Sequence, residues 1–196
     1  MLPIDISKLA DSVGVVVSKH PVSGEYGIGT GFVAYRDNII VTTHHDEKHG
    51  FKPVAFLTKD RKRYGIARHY TPALCQGVCF WETYLHTGLP PLPCAASAEA
   101  CRGESLYTIG LVDGNYPIIT SSLFHRAPEG RGDFYMFANL TPGSCGSPVI
   151  NAKGMVLGVY RAHLVDSPGY QLVSKIQNYN LHMGFLQTKE FEWEWA

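Results

Sequence analysis

The hydrophobic positions of this chain fall into short runs separated by turn residues, which is the pattern of β-strands. Ten runs rich in β-branched and aromatic residues are bounded by Gly, Pro, Asn or Asp, and each predicts a strand. The runs cover residues 12–18, 31–35, 39–43, 54–58, 105–109, 118–121, 134–137, 149–151, 155–160 and 170–173. Short strands at such spacing predict an all-β barrel or sandwich.

Two of the turns have sequences typical of hairpins. Arg36, Asp37 and Asn38 join two of the runs, and Asp and Asn tolerate the positive φ that tight turns require. A second turn, residues 151–154, ends in Gly154, where a left-handed backbone is expected.

Only two segments predict helices. Residues 5–10 form a short one, with Asp5 placed to cap its first turn. Residues 174–187 predict another, with Ser174 as N-cap. The fold class expected is therefore all-β with few short helices.

The most linker-like stretch lies near the middle of the chain. Residues 89–94 are rich in proline, and polar residues follow as far as Glu104. A chain of 196 residues is long enough for two small β domains that share an interface. We predict an N-terminal β-barrel over residues 1–95 and a C-terminal β-barrel over residues 96–196, with the helix and tail at its end.

Composition and charge limit the classes of molecule that this chain is expected to bind. Hydrophobic residues make up 45% and charged residues 17%, which is enough apolar material for a core. Lys plus Arg equals Asp plus Glu at 17 each, so the zero net charge argues against strong non-specific binding to nucleic acid. The basic cluster at residues 61–63 reads as a solvated turn. No run of 18 apolar residues predicts a membrane span.

The cysteines do not form a recognisable framework. There are five, an odd number at irregular spacing, and Cys75 and Cys79 have no second pair at zinc-ligand distance. We therefore expect no metal and no disulfide scaffold. A reducing compartment, the cytoplasm, fits this pattern best.

The strongest chemical signal is the segment of residues 141–149, in which two glycines bracket a Ser-Cys pair just before a hairpin. Acyl-transfer nucleophiles need such a sharp turn, because consecutive N–H groups must point at one spot. The amides of Gly143, Ser144 and Cys145 are the oxyanion-hole candidates, with Gly143 and Cys145 as the pair beside the sulfur. A surface turn holding a buried cysteine is the alternative interpretation.

The second signal is a histidine pair after a hydrophobic strand. Residues 39–43 end in two threonines, and His44 and His45 follow. An imidazole at the end of a strand can be fixed by the backbone and still face a cleft, as a general base must.

Five segments in this order resemble the chymotrypsin clan of proteases. They are Gly27-Ile28-Gly29-Thr30-Gly31, Ile40-Val41-Thr42-Thr43-His44-His45, Leu106-Tyr107-Thr108-Ile109-Gly110, Gly143-Ser144-Cys145-Gly146-Ser147-Pro148 and Gly154-Met155-Val156-Leu157-Gly158-Val159. The resemblance implies a double β-barrel. Because Cys145 stands where serine members carry Ser, the chain is most similar to the viral 3C and 3C-like proteases.

The resemblance also assigns roles. Its hydrophobic-Thr-x-x-His pattern implies that His45 is the base and Cys145 the nucleophile, with no metal or cofactor. Where the clan places a triad acid, this chain has Gly77, or Gln76 with a one-residue slip. A Cys–His dyad is therefore expected, since a thiol ionises more readily than a serine hydroxyl. Asp60 or Glu82 remains an alternative acid.

Substrate recognition departs from the viral pattern. The family reads the P1 side chain with a histidine, but the matching position here is Tyr160, and His163 lies three residues further on. A threonine is common five residues before the nucleophile; here that position is Leu140, followed by Thr141. These four residues are the candidates for the P1 pocket, and the P1 preference stays open.

Three hypotheses follow. The first is a cysteine endopeptidase that cleaves a viral polyprotein in the host cytoplasm, acting as a monomer or a homodimer. The second is a protease-like barrel without catalysis that binds peptide or RNA, favoured by Gly77 and Tyr160. The third is a relative of the HtrA-type serine proteases, against which Cys145 argues.

Overall fold

A computed structural model describes residues 5–43, 49–71, 77–96, 100–112, 115–127, 133–164, 169–176 and 194–195. One α-helix, α1 (Ile6–Leu9), and a 3-10 turn, Ala10–Ser12, precede the strands. The strands of the described part are β1 (Val13–Lys19), β2 (Tyr26–Val33), β3 (Ile39–Thr43), β4 (Lys52–Leu57), β5 (Arg63–Tyr70), β6 (Val78–Thr83), β7 (Ser105–Val112), β8 (Asn115–Arg126), β9 (Asp133–Phe137), β10 (Pro148–Asn151), β11 (Val156–His163), β12 (Tyr170–Lys175) and β13 (Glu194–Trp195).

The first six strands close into an antiparallel barrel. Their order is β5-β4-β1-β2-β3-β6, and pairing between β5 and β6 closes the ring. β13 adds to β5, with Trp195 opposite Arg68. The barrel interior is filled by buried apolar side chains on alternating positions, among them Val16, Ile40 and Phe56.

The remaining six strands form a second closed barrel in the order β10-β11-β12-β9-β8-β7. Phe134 and Met136 of β9 point into it and are fully buried with Leu106 and Val173. The predicted all-β double barrel is confirmed.

A separate apolar cluster joins the two barrels. Phe32 and Phe80 from the first barrel pack with Ile109, Ile150 and Val159 from the second, and all five are completely buried. Burying them against each other removes a large apolar surface from water, so the two barrels hold each other in place.

The segment between β6 and β7 runs along both barrels. Leu92 bridges to Ala34 of the first barrel, and Cys94 bridges to Val156 of the second. The change from one sheet to the other falls between Thr83 and Ser105, and the boundary at residue 95 remains a prediction. In the described part, no helix is long and apolar enough to cross a membrane.

Several local predictions can be compared directly. The helix after Asp5 is confirmed, because the Asp5 carboxylate accepts a hydrogen bond from the Ser7 amide at 3.1 Å. The hairpin at Gly154 is confirmed, with φ of +76°. In the other hairpin the positive φ lies at Tyr35, not at Asp37 or Asn38, and the Tyr35 ring packs against the core beside Phe80.

The predicted helix over residues 174–187 is wrong at its start. Ser174 and Lys175 belong to β12, where Ser174 lies opposite Asp133 of β9. The positions from 177 to 187 lie outside the described residues. Strand β5 was not predicted, because its only buried residues are Ile66 and His69, three positions apart, so the alternation of apolar and polar residues is lost.

Candidate active site

A cavity of about 770 Å³ opens between the two barrels. The first barrel contributes Gly29, Thr42 and Thr43 to its wall, and the second contributes Cys145 and the end of β11. The cavity thus brings together the ends of the two segments that the sequence singled out.

The Cys145 turn depends on glycine at two positions. Gly143 has φ of +95° and Gly146 has φ of +93°, which residues with a Cβ rarely adopt. At Gly146 an added Cβ would also overlap the Thr30 carbonyl and lie 2.6 Å from the Thr42 hydroxyl. The backbone of the turn therefore packs directly on the first barrel.

Thr30 of β2 attaches this turn to the rest of the fold. Its amide donates to the Cys145 carbonyl at 2.9 Å, and its hydroxyl donates to the Gly143 carbonyl at 2.9 Å. The same hydroxyl accepts from the Leu111 amide at 3.0 Å. Thr30 is fully buried, so these bonds are shielded from water and fix the turn against the strand.

The turn carries two serines beside the cysteine, and both are turned away from the cavity. Ser144 is completely buried, and its hydroxyl donates to the Leu111 carbonyl at 2.9 Å. Ser147 is 1% exposed and lies against Gly110. Cys145, in contrast, is half-buried and lines the cavity. Of the three side chains, only that of Cys145 is placed to meet a substrate.

The backbone of the turn distinguishes the three oxyanion-hole candidates. The Ser144 amide donates to the Thr141 carbonyl at 3.2 Å and is therefore used within the turn. The assignment of the Gly143 and Cys145 amides to the oxyanion hole remains a prediction.

The strand before the predicted base has the bounds expected from the sequence. β3 covers Ile39–Thr43, and its last residues Thr42 and Thr43 line the cavity. β3 therefore ends at the wall of the cavity that Cys145 also lines. His44 and His45 themselves lie outside the described residues, so the assignment of His45 as the base stays a prediction.

Gly77, where the resemblance puts a triad acid, lies against an arginine from the other barrel. Gly77 has φ of +92°, and an added Cβ would overlap the Cδ of Arg161 and lie 3.0 Å from its Nε. The guanidinium of Arg161 lies 3.7 Å from the Asp133 carboxylate and 3.5 Å from the Ser174 hydroxyl. Gln76, the alternative position, is outside the described residues.

Neither alternative acid lies near the end of β3. Glu82 pairs with Arg68 and lies opposite Ile39, at the far end of β3 from Thr43. Five residues of strand separate these ends by roughly 13 Å. Asp60 lies in the exposed β4–β5 turn, where its pKa is lowered by hydrogen bonds from Thr58 and Lys62. The structure thus gives no support to either as a triad acid.

All four P1-pocket candidates line the cavity: Leu140, Thr141, Tyr160 and His163. Tyr160 is only 2% exposed and belongs to the core of the second barrel. Burial raises the pKa of its hydroxyl, and the nearby Cys145 raises it further. Their assignment as P1 contacts remains a prediction.

Two polar lining residues on β11 and β12 are among those that the sequence reasoning missed. Arg161 and Gln171 carry no motif, and each reaches the cavity only because β11 and β12 bring it there. Among the described residues, no cluster of three His, Cys, Asp or Glu side chains could hold a metal ion.

Comparison with known proteins gives a family match. The family model described as "Trypsin-like peptidase domain" matches residues 29–159 of the chain. The match extends from the strand that holds the turn, through the turn itself, to the middle of β11.

A curated relative is the "Putative serine protease HhoA" of Synechocystis sp., 28% identical over 153 residues. The alignment covers 73% of this chain but only 39% of the relative, so this chain spans about two fifths of its length.

Solved structures share the fold. The active form of the Rv3671c protease from M. tuberculosis has a TM-score of 0.79 at 20% identity, over 96% of this chain and 89% of that one. The inactive form has a TM-score of 0.72 at 20% identity, over 93% and 96%. The fold is thus the chymotrypsin-like double barrel. These comparisons support a protease of that type but not the viral 3C type that the sequence resemblance implied.

Proposed function

The chain belongs to the trypsin-like peptidase domain family, and on this premise we propose that it is a cysteine endopeptidase whose nucleophile is Cys145. The observation that carries the proposal is the arrangement of the turn. Ser144 and Ser147 are buried, whereas Cys145 lines the cavity between the two barrels.

In the proposed reaction His45 takes the proton of the Cys145 thiol, and the thiolate attacks the carbonyl carbon of the scissile bond. The amides of Gly143 and Cys145 donate to the oxyanion that forms. Protonated His45 then gives its proton to the leaving amine as the C–N bond breaks. Water, deprotonated by His45, hydrolyses the remaining thioester and restores the thiol.

The absence of a carboxylate at Gly77 favours cysteine over serine chemistry. A thiol has a pKa near 8.5, so a histidine alone can ionise it, whereas a serine hydroxyl needs a better-supported base. Arg161 occupies the space beside Gly77, so a carboxylate there would have to displace it. The Cys–His dyad is consistent with this packing.

The substrate is a polypeptide, as the family implies. The narrower expectation, a viral polyprotein cut in the host cytoplasm, rests on the sequence resemblance alone and remains part of the proposal.

The test combines cleavage with alkylation. We expect the wild type to hydrolyse a peptide library, and Cys145→Ala to lose turnover while its melting temperature changes by less than a few degrees. Iodoacetamide at pH 7 should label Cys145 at least tenfold faster than the exposed Cys101, identified by mass spectrometry. The matched variant Cys101→Ala should keep full activity.

The rival function is a peptide-binding barrel without catalysis, which the loss of the acid at Gly77 favours. It predicts equal labelling rates at Cys145 and Cys101 and no cleavage. Cleavage that persists in Cys145→Ala would instead exclude Cys145 as the nucleophile.

A further inference from the structure

The outer face of the second barrel carries large apolar side chains in solvent. Phe137 of β9 is 53% exposed and Leu123 of β8 is 47% exposed. The two residues are directly opposite each other in the antiparallel β8–β9 pair, so their side chains lie on the same face of the sheet. Tyr170 of β12 lies opposite Phe137 on its other side and extends the row. Single exposed apolar residues are normal, but a contiguous row across three strands is typical of a binding surface.

Aromatic contacts hold this row in a defined shape. The Tyr170 ring meets the Phe137 ring edge to face, with centroids 5.7 Å apart, and it meets the His125 ring in the same way at 4.8 Å. Such packing stabilises one arrangement of the rings. Leu123, His125, Phe137 and Tyr170 together form the aromatic face. Because this face is already ordered, a ligand does not have to pay for ordering it.

Two grooves flank the pair formed by Leu123 and Phe137. One, of about 270 Å³, lies between this pair and Tyr107 of β7. The other, of about 190 Å³, runs from the pair towards His125 and Arg102. Both residues of the pair line both grooves, so an apolar ligand side chain in either groove would cover them.

The larger groove adjoins the cavity that Cys145 lines. Ala138 and Asn139 line both of them, and Asn139 is exposed. Gly169 provides a second connection: it lines the cavity, and a Cβ added to it would lie 2.6 Å from the Phe137 ring. A polypeptide bound in the cavity can therefore pass over Asn139 and reach the aromatic face.

The charges at the edge of the aromatic face favour an acidic ligand. The described lining of the two grooves includes no Asp or Glu, and the exposed Arg102 lines the smaller one. Arg126, also exposed, lies over the Tyr135 ring at 5.6 Å from its centroid. The carboxylate of Glu104, in the loop of Arg102, accepts from the Cys101 amide at 3.0 Å. An acidic segment would thus meet positive charge here, which a basic segment would not.

The composition of the aromatic face favours a polypeptide over a nucleic acid. Its centre is an apolar pair, and the described residues place two arginines at its edge, whereas a groove that follows a phosphate backbone needs a longer basic track. The zero net charge of the chain adds no general attraction for nucleic acid.

We propose that the aromatic face is an exosite for the polypeptide substrate. It binds a segment remote from the scissile bond in which aromatic or branched apolar side chains alternate with carboxylates. The apolar side chains cover Leu123 and Phe137, and the carboxylates face Arg102 and Arg126. The occupant is the substrate's own chain, because the groove and the cavity share a wall. This inference rests on the proposed function and adds a second contact region for its substrate.

Binding at this distance from the reaction changes KM and leaves kcat. Contacts that are equal in the ground state and the transition state lower KM without affecting the chemical step. Covering the apolar pair should increase affinity roughly tenfold. Each exposed ion pair adds only about two- to threefold. Apolar contact thus provides most of the affinity, and charge provides selection.

The experiment extends a peptide that the wild type cleaves. The segment Glu-Phe-Glu-Leu-Glu is attached to either end through Gly-Ser linkers of about two to eight residues. The expected result is a KM about tenfold lower for extension at one of the two ends, with kcat unchanged. A segment with Lys in place of Glu, or with Ser in place of Phe and Leu, should lose this gain. Equal KM values for the parent and for both extended peptides would overturn the inference.

Variants locate the contact. Phe137→Ser and Leu123→Ser should each raise the KM of the extended peptide towards that of the parent, whose own KM should not change. Arg102→Glu should raise it about threefold. Val22→Ser is the matched control and should change neither value, since Val22 is 89% exposed and lies between β1 and β2 of the first barrel. An extended peptide whose KM is unchanged in all three variants would remove the exosite from this face.

Binding to Cys145→Ala separates this inference from the proposed function. The fluorescently labelled segment, followed by anisotropy, should bind saturably, and Phe137→Ser should weaken the binding. Such binding without hydrolysis of any peptide by the wild type would contradict the cysteine endopeptidase and leave the aromatic face as a binding surface. Hydrolysis that neither the segment nor Phe137→Ser affects would do the reverse. Binding of a single-stranded oligouridylate, lost in Phe137→Ser, with none of the segment would overturn the polypeptide assignment.

Discussion

The side chain of Arg161, from the second barrel, lies against the α-carbon of Gly77 in the first, so that position 77 has no room for a Cβ. A carboxylate cannot be added there without moving the arginine. We expect Gly77→Asp to lower the free energy of unfolding and to leave peptide cleavage no faster than in the wild type.

The backbone strain in that variant can be separated from the overlap with Arg161. Gly24 has a similar φ of +75° with open space around it, so Gly24→Asp should lose only about 1–2 kcal/mol from strain. Gly77→Asp should lose more free energy of unfolding than Gly24→Asp. Adding Arg161→Ala to Gly77→Asp should recover part of this extra loss. Urea unfolding of Gly24→Asp, Gly77→Asp, Arg161→Ala and the double variant measures these losses. If the losses of Gly77→Asp and Arg161→Ala simply add in the double variant, the contact between the two residues is contradicted.

The close approach at Gly146 gives a second prediction. In Gly146→Ala the new methyl group would overlap the Thr30 carbonyl, so the Cys145 turn must move away from β2. We expect a loss of several kcal/mol of stability together with slower alkylation of Cys145. Gly24→Ala, which has the same kind of φ and no neighbour within 4 Å, should lose only about 1–2 kcal/mol and keep its reactivity. Similar losses in both would show that the overlap is unimportant.

Thr30 allows a test by removal and rescue. Thr30→Val keeps the shape but leaves the Leu111 amide and the Gly143 carbonyl without their partner. The loss should be about 1–3 kcal/mol for each buried group, with reduced kcat because the turn is no longer fixed. Thr30→Ser retains the hydroxyl and should recover most of both. Thermal unfolding and peptide turnover provide the readouts, and a Val variant as active as the Ser variant would refute this role.

The buried thiol of Cys94 predicts a change of stability at alkaline pH. Burial raises its pKa from 9.0 to about 12, although a hydrogen bond with Tyr35 acts in the opposite direction. A thiol with a higher pKa in the folded state stabilises the protein below pH 9, and this contribution is lost as the pH rises towards 12.

The matching experiment compares two cysteine variants. Between pH 9 and 11, stability should fall less steeply with pH in Cys94→Ala than in the wild type. Cys101 is exposed, so Cys101→Ala should follow the wild-type curve. If stability falls equally steeply with pH in Cys94→Ala and in the wild type, the pKa of the Cys94 thiol is not raised by folding.

Much of the fold could be predicted from the sequence, because most strands keep one apolar face. β3 has the predicted bounds, since its residues are β-branched and four of the five are buried. β5 could not be read this way. It pairs with β4 through Arg63–Gly65 and with β6 from Ile66 onwards, with a register shift between Ile66 and Arg68, so its partners and not its own pattern hold it in place.

The candidate site could be predicted from the sequence only where its residues are adjacent in the chain. The glycines around Cys145 are required by the turn itself, so the turn could be predicted from a few adjacent residues, and Cys145 as the nucleophile remains a prediction. Arg161 meets Gly77 across 84 positions of chain, and no local pattern encodes such a contact. Gln171 was likewise invisible, because only the assembled sheet brings it to the cavity.

The three bonds of Thr30 to the Cys145 turn and to Leu111 have a consequence for biosynthesis. Cys145 belongs to the later half of the chain, yet its turn is held by a strand made near the beginning. The turn of a nascent chain cannot be fixed in this way before both halves have emerged and docked. Separately expressed halves should each be inert towards peptides, and mixing them should restore turnover only to the extent that the fragments associate.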